Sequence, residues 1–217
     1  MAGVIDAQQL AAWEQSWQAW LQQQHADVAH DLEHTRRVVA AARRLAVAEA
    51  ADLAVVLPAA WLHDCVVVAK DSPLRAHASA MAAEAALARL QQAGYPHRYL
   101  AAIGHAIEAH SFSAGIVPQT IEARVVQDAD RLDALGAVGL ARCLMLGATL
   151  GRRLYDPDEP FPTTRQPDDL RNTIDHFYTK LLGLADTMTT TSGRDEARQR
   201  SRFLHTFLDQ LRSELGA

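Results

Sequence analysis

Lysine is nearly missing from this chain. Of 21 basic residues only Lys70 and Lys180 are lysines, the rest being arginines, and where such a composition keeps a lysine it selects a compact, strongly hydrated point charge over a planar fork. Cysteine is as scarce. Cys65 and Cys143 stand far apart with no C-x-x-C spacing, which argues against a disulfide framework or a thiolate zinc site and fits a reducing cytoplasm. The longest apolar run, 53–62, carries Pro58 and stops at His63, about half of what a membrane-spanning helix needs. Residues 1–25 read as polar and amphipathic, without a basic-plus-apolar signal pattern. Positive charge is not in excess either. The formal net charge of −5 leaves no electrostatic footprint for nucleic acid or an anionic membrane, while permitting a local basic pocket for a small anion. No G-x-G-x-x-G, P-loop, G-x-S-x-G or H-E-x-x-H occurs, which removes several common enzyme classes by motif. No repeat of 20 to 50 residues is visible.

Helix formers are abundant. Alanine, leucine, glutamine, glutamate and arginine dominate, and apolar residues recur every three or four positions, as in Leu10, Trp13, Trp17, Trp20, Leu21 and in Val38, Val39, Ala42, Leu45. No useful strand-like alternation appears. The pattern predicts helices near 6–24, 28–49, 52–65, 76–93, 96–110, 118–132, 134–149, 168–188 and 193–214. Gly94-Tyr95-Pro96 is a clear break, and 156–162, with three prolines in seven residues, is a loop. With 217 residues, 49% hydrophobic and 22% charged, the expectation is one all-α domain. Its core would span about 27–150, with C-terminal helices at about 168–214 packing on it.

Four segments concentrate metal-type ligands: "HDLEHTRRV" at 30–38, "WLHDC" at 61–65, "IGHAIEAHSFS" at 103–113 and "VVQDADRLDALGA" at 125–137. Each piece alone has a plain structural explanation: an interior histidine, a helix tip, a surface acid paired with arginine. Together they suggest a site.

The set H-x-x-R-V, then H-D after an apolar helix, then D-A-D-R-L-D-A-L-G-A resembles the HD superfamily of metal-dependent phosphohydrolases, whose fold is a helical bundle. "HDCVVVAKDSPLRAHASAMAAEAA", "AIEAHSFSAG" and "IDHFYTKLLGL" extend the likeness over roughly 27–212, toward small stand-alone bacterial members that include nucleotide pyrophosphatases. The resemblance implies one divalent cation (Mn²⁺, Mg²⁺, Ni²⁺, Co²⁺ or Fe²⁺) on His34, His63, Asp64 and Asp130. Asp130 is preferred to Asp128 for its place before Arg131-Leu132. Two imidazoles and two carboxylates suit such ions in roughly octahedral geometry, leaving about two positions for water and a substrate oxygen. Adjacent residues on a helix point about 100° apart, so His63 and Asp64 converge best at a helix end, and Pro58 can kink that helix to help.

The remaining candidates surround this set. Asp64, Lys70, His110 and Asp128 are the catalytic candidates. Arg37, Lys70, Arg75, His105, His110, His176 and Lys180 are the candidate substrate contacts, the basic ones for phosphate oxygens. His105, Glu108 and His110 could complete a second metal site or supply a general acid. Asp27, His30 and Asp31 would cap a helix or orient His34, and Asp133 would orient a histidine. Val66, Val67, Val68 and Ala69 follow His63-Asp64 where several relatives carry an acid, which leaves the general base unassigned.

The resemblance implies a (deoxy)nucleoside triphosphate cleaved to monophosphate and pyrophosphate. The alternatives are a 5′-nucleotidase, a hydrolase of a signalling nucleotide, or a non-catalytic nucleotide-binding module. The expected partner is a small phosphorylated molecule rather than nucleic acid or membrane, and the chain is expected as a monomer or homodimer.

Overall fold

The computed structural model describes residues 5–24, 32–68, 72, 74–111 and 114–216. Lys70, Asp27, His30 and Asp31 lie outside the described residues, as does the Arg75 side chain. Among the described residues the fold is all-α, the one extended pairing being an isolated bridge between Arg153 and Asn172. The helices are α1 (Ala7–Gln24), α2 (Leu32–Ala48), α3 (Leu53–Leu62), α4 (Ala78–Gln92), α5 (Leu100–His110), α6 (Ile121–Leu132), α7 (Gly136–Thr149) and α8 (Thr191–Leu215). No single described helix is long and apolar enough to cross a membrane. Two compact units divide within α6, the first running to Asp130 and the second starting at Arg131.

In the first unit α3 is the hub. Its sequence is apolar on every side, which requires burial all round; α1, α2, α4 and α5 pack on it, and Ala54 through Leu62 are buried. Asp52 caps its start by accepting from the Ala54 N–H at 2.8 Å. α1 starts with a reciprocal capping box, Gln9 N–H to Asp6 Oδ1 at 2.8 Å and Asp6 N–H to Gln9 Oε1 at 3.1 Å. The expected tryptophan stripe divides by role. Trp17 is buried and stacks on Trp13, while Trp20 lies under the Arg89 guanidinium. α4 ends where Gly94 takes φ +78°. There the Tyr95 N–H reaches the Leu90 carbonyl at 2.9 Å and the Gly94 N–H reaches that of Gln91 at 3.0 Å, the paired closure of a Schellman motif.

In the second unit α7 packs on α8, and Phe177 stacks on Phe207. The helix expected over 168–188 does not form as one piece. The buried Asp175 carboxylate accepts from Arg165 Nη1 and Nη2 at 2.5 and 2.7 Å and from the Asp168 N–H at 2.7 Å. The backbone of 171–174 pairs with 153–154 through Arg153 N–H to Arg171, Thr173 N–H to Arg153 and Ile174 N–H to Leu154. These partners take the places that intrahelical bonds would fill. Beyond Asp175 the chain winds through a π turn, Phe177–Leu181, and a 3₁₀ turn, Leu184–Thr187.

Candidate metal centre

Four helix ends or first turns deliver the ligand-type side chains. His34 sits in the first turn of α2, His63 and Asp64 follow the last residue of α3, His110 ends α5, and Asp130 lies near the end of α6. His34 Nε2 is 3.4 Å from Asp130 Oδ1, and His63 Nε2 is 3.8 Å from the same oxygen. Asp64 bridges the other side, Oδ2 at 3.6 Å from His63 Nε2 and Oδ1 at 3.4 Å from His110 Nε2. Two triads result, His34/His63/Asp130 and His63/Asp64/His110, each with one ligand atom per residue, all within 4.8 Å of one another. His63 belongs to both.

Ring orientation is set by the helix ends. Nδ1 of His63 lies 2.8 Å from the Ala60 carbonyl and Nδ1 of His110 lies 2.5 Å from that of Ile107. A carbonyl only accepts, so each Nδ1 carries the proton, and in a neutral ring Nε2 then presents a lone pair. His63 Nε2 is buried without a hydrogen-bond partner, beside two carboxylate oxygens. Burial outweighs those carboxylates and pushes the His63 pKa down, so the ring is neutral near pH 7 and acceptor faces acceptor. A cation between them resolves the conflict, and histidine with Nδ1 on a backbone carbonyl is the usual posture of a metal ligand. The donor set therefore fits a divalent ion.

The carboxylates point the same way. Burial alone would raise Asp130, yet the hydrogen bond to His34 and the charges of His63, His34 and His110 bring it down to about 2. For His110 burial works downward, but the bond to Asp64 prevails and raises its pKa. Asp64 is the most open of the five, its side chain about one-third exposed.

The other candidates fall in different places. Asp128 is wholly buried, and among the described residues neither ligand triad includes it. Arg37 stands one turn beyond His34, partly buried. His105 Nε2 accepts from the Gln119 N–H at 2.9 Å, and neither it nor Glu108 joins a triad. His176 Nδ1 is 2.7 Å from Asp169 Oδ2 in the second unit, where Lys180 lies in the π turn and Asp133 pairs with Arg142. Burial pushes the Cys65 thiol up to about 12, and among the described residues it joins neither triad.

His110, expected as a substrate contact, a general acid or a member of a second metal site, stands at ligand distance from His63 and Asp64. Gln127 donates to the Ala109 carbonyl at 2.6 Å, tying α6 to the end of α5; nothing in the local sequence marks it.

The sequence profile of the HD domain matches residues 31–135, the stretch that holds all five side chains. YpgQ of Bacillus subtilis is 33% identical over 190 residues, covering 86% of this chain and 84% of the relative. This chain belongs to the HD-domain family. The crystal structure of B. subtilis YpgQ in complex with ADP superposes with a TM-score of 0.76 at 31% identity, over 94% of this chain and 96% of that one. An HD-superfamily hydrolase from Bacillus thuringiensis gives 0.74 at 29% identity, over 96% and 99%.

Proposed function

We propose that this HD-domain protein is a divalent-metal-dependent phosphohydrolase that cleaves a nucleoside or deoxynucleoside triphosphate to monophosphate and pyrophosphate. The observation that carries the metal reading is the buried, partnerless Nε2 of His63 facing the carboxylates of Asp64 and Asp130. His34, His63, Asp64 and Asp130 would hold the ion, with His110 as a fifth donor or as a proton carrier at Nε2. When bound, such an ion supplies Lewis-acid polarisation of a phosphoryl oxygen and lowers the pKa of water.

The protein's own groups do the rest. The carbonyls of Ala60 and Ile107 hold the rings of His63 and His110 in register. Asp64, beside His110 and open to solvent, is placed to accept a proton from the attacking water, and His110, whose Nε2–H points at Asp64, is placed to give its proton to the leaving oxygen. Wholly buried Asp128 presents no exposed oxygen to a substrate and acts from within α6. Lys70, Arg75 and Arg37 are proposed for the phosphate oxygens. The nucleotide substrate is supported by the B. subtilis relative, which was crystallised with ADP.

The test is product analysis of the purified protein with Mn²⁺ and a panel of nucleoside mono-, di- and triphosphates, beside Asp64→Ala. Pyrophosphate and monophosphate from triphosphates, absent in the variant, is the expected result. Inorganic phosphate released only from monophosphates would replace this reading with a 5′-nucleotidase.

A further inference from the structure

α3 delivers His63 and Asp64, yet its own hydrogen-bond ladder has a gap. Pro58, inside the helix, has no N–H to give to the carbonyl of Ala54 one turn earlier, and its ring crowds that carbonyl. Such a site is a hinge unless something else takes the bond. Ala54 is buried, so water is no ready substitute, and an unpaired buried carbonyl is costly.

The missing donor comes from 41 residues away. The Tyr95 hydroxyl donates to the Ala54 carbonyl at 2.6 Å. Tyr95 is itself held rigidly. Gly94 turns the chain and its N–H closes α4, the Tyr95 N–H is bonded to Leu90, and Pro96 restricts its backbone from the other side. Trp13, Trp17 and Tyr99 surround the ring at centroid distances of 5.4, 5.9 and 6.1 Å. Burial keeps the phenol a donor by pushing its pKa up.

We infer that Tyr95 is a positioning residue for the metal centre: its hydroxyl replaces the amide that Pro58 lacks, holds the α3 backbone at that gap, and so sets where His63 and Asp64 stand. This rests on the metal reading above.

The experiment titrates Co²⁺ into the metal-free wild type, Tyr95→Phe, Pro58→Ala and the double variant. Calorimetry gives Kd, the visible absorption band reports ligand geometry, and thermal unfolding is recorded for each. Tyr95→Phe is expected to bind Co²⁺ roughly tenfold more weakly, the lower range for losing a group that orients ligands, with an altered absorption band. In the Pro58→Ala background the amide of residue 58 supplies the donor. There, adding Tyr95→Phe is expected to leave Kd and band unchanged.

A Tyr95→Phe protein that melts earlier but keeps wild-type Kd and band would reduce the hydroxyl to a structural bond and overturn the inference. So would weaker binding by the double variant than by Pro58→Ala, a comparison that decides alone if Tyr95→Phe does not fold. A folded wild type that binds no Co²⁺ would refute the metal reading, and the inference with it.

Discussion

Asp175 lies in the second unit, where no catalytic candidate of the HD pattern falls. Its buried carboxylate accepts from Arg165, the Asp168 amide and Asn172. Asp175→Asn is expected to cost about 3 kcal/mol, the lower end for breaking a buried pair, since Arg165 keeps some solvent. Urea unfolding at pH 7 measures it. Burial would raise the Asp175 pKa, but Arg165 and the two further donors lower it below 3.8. Its stabilisation is therefore complete above that ordinary value and fades as pH falls through the lower, folded one. The gap between wild type and Asp175→Asn should accordingly narrow on acidification below pH 4; a gap unchanged at pH 2 would contradict the assignment. In the sequence, Asp175 falls within the stretch 168–188 whose pattern predicts a helix, and nothing local marks it as an ion-pair partner. Its partner Arg165 lies ten residues upstream, beyond the three- and four-residue spacings that a helical pattern reads.

Among the helices, α7 has a composition poorly suited to its conformation, with Gly136 at its first position and Gly139 and Gly147 inside. Propensity counts each interior glycine as a cost of about 1 kcal/mol. Packing explains two of them. A Cβ at Gly139 would lie 2.2 Å from the backbone carbon and oxygen of Ala134, and one at Gly147 would lie 2.2 Å from Thr173 Oγ1 and 2.7 Å from Cγ2. Both alanine substitutions should destabilise, by about 1–3 kcal/mol for overpacking at Gly147 and at the upper end of that range at Gly139. A double-mutant cycle separates them. Thr173→Ala should relieve part of the Gly147→Ala penalty, because its obstacle is a side chain, and none of the Gly139→Ala penalty, because its obstacle is backbone. The positions of α1 through α8 were legible because caps and three-to-four-residue periodicity are local. The interrupted stretch at 168–188 was not, because its backbone bonds go to 153–154.

At the scale of the molecule, the five ligand-type groups lie on α2, α5, α6 and the end of α3, so an ion held by them joins elements spread from residue 34 to residue 130. Binding only the folded form, it should raise stability by about 2.7 kcal/mol at a free concentration one hundred times Kd. Calorimetric melting of the metal-free protein with and without Mn²⁺ is the measurement. Asp130→Asn should lose most of the Mn²⁺-induced rise in Tm while staying folded. A rise of equal size in that variant would mean that the ion binds elsewhere.

The amino-acid order by itself determined the helical class and the helix break at Gly94, since both follow from residue type and period, and its likeness to the HD pattern is what implied His34, His63, Asp64 and Asp130 as a ligand set. Tertiary structure alone decided that His110 stands with them, that Gln127 closes the end of α5, that Tyr95 completes the ladder of α3, and that 168–188 is not one helix. Those outcomes depend on pairings such as Gln127 with Ala109, 18 residues apart, and Tyr95 with Ala54, 41 apart. Spacing along a chain carries no information about such distances until the helices between them have packed.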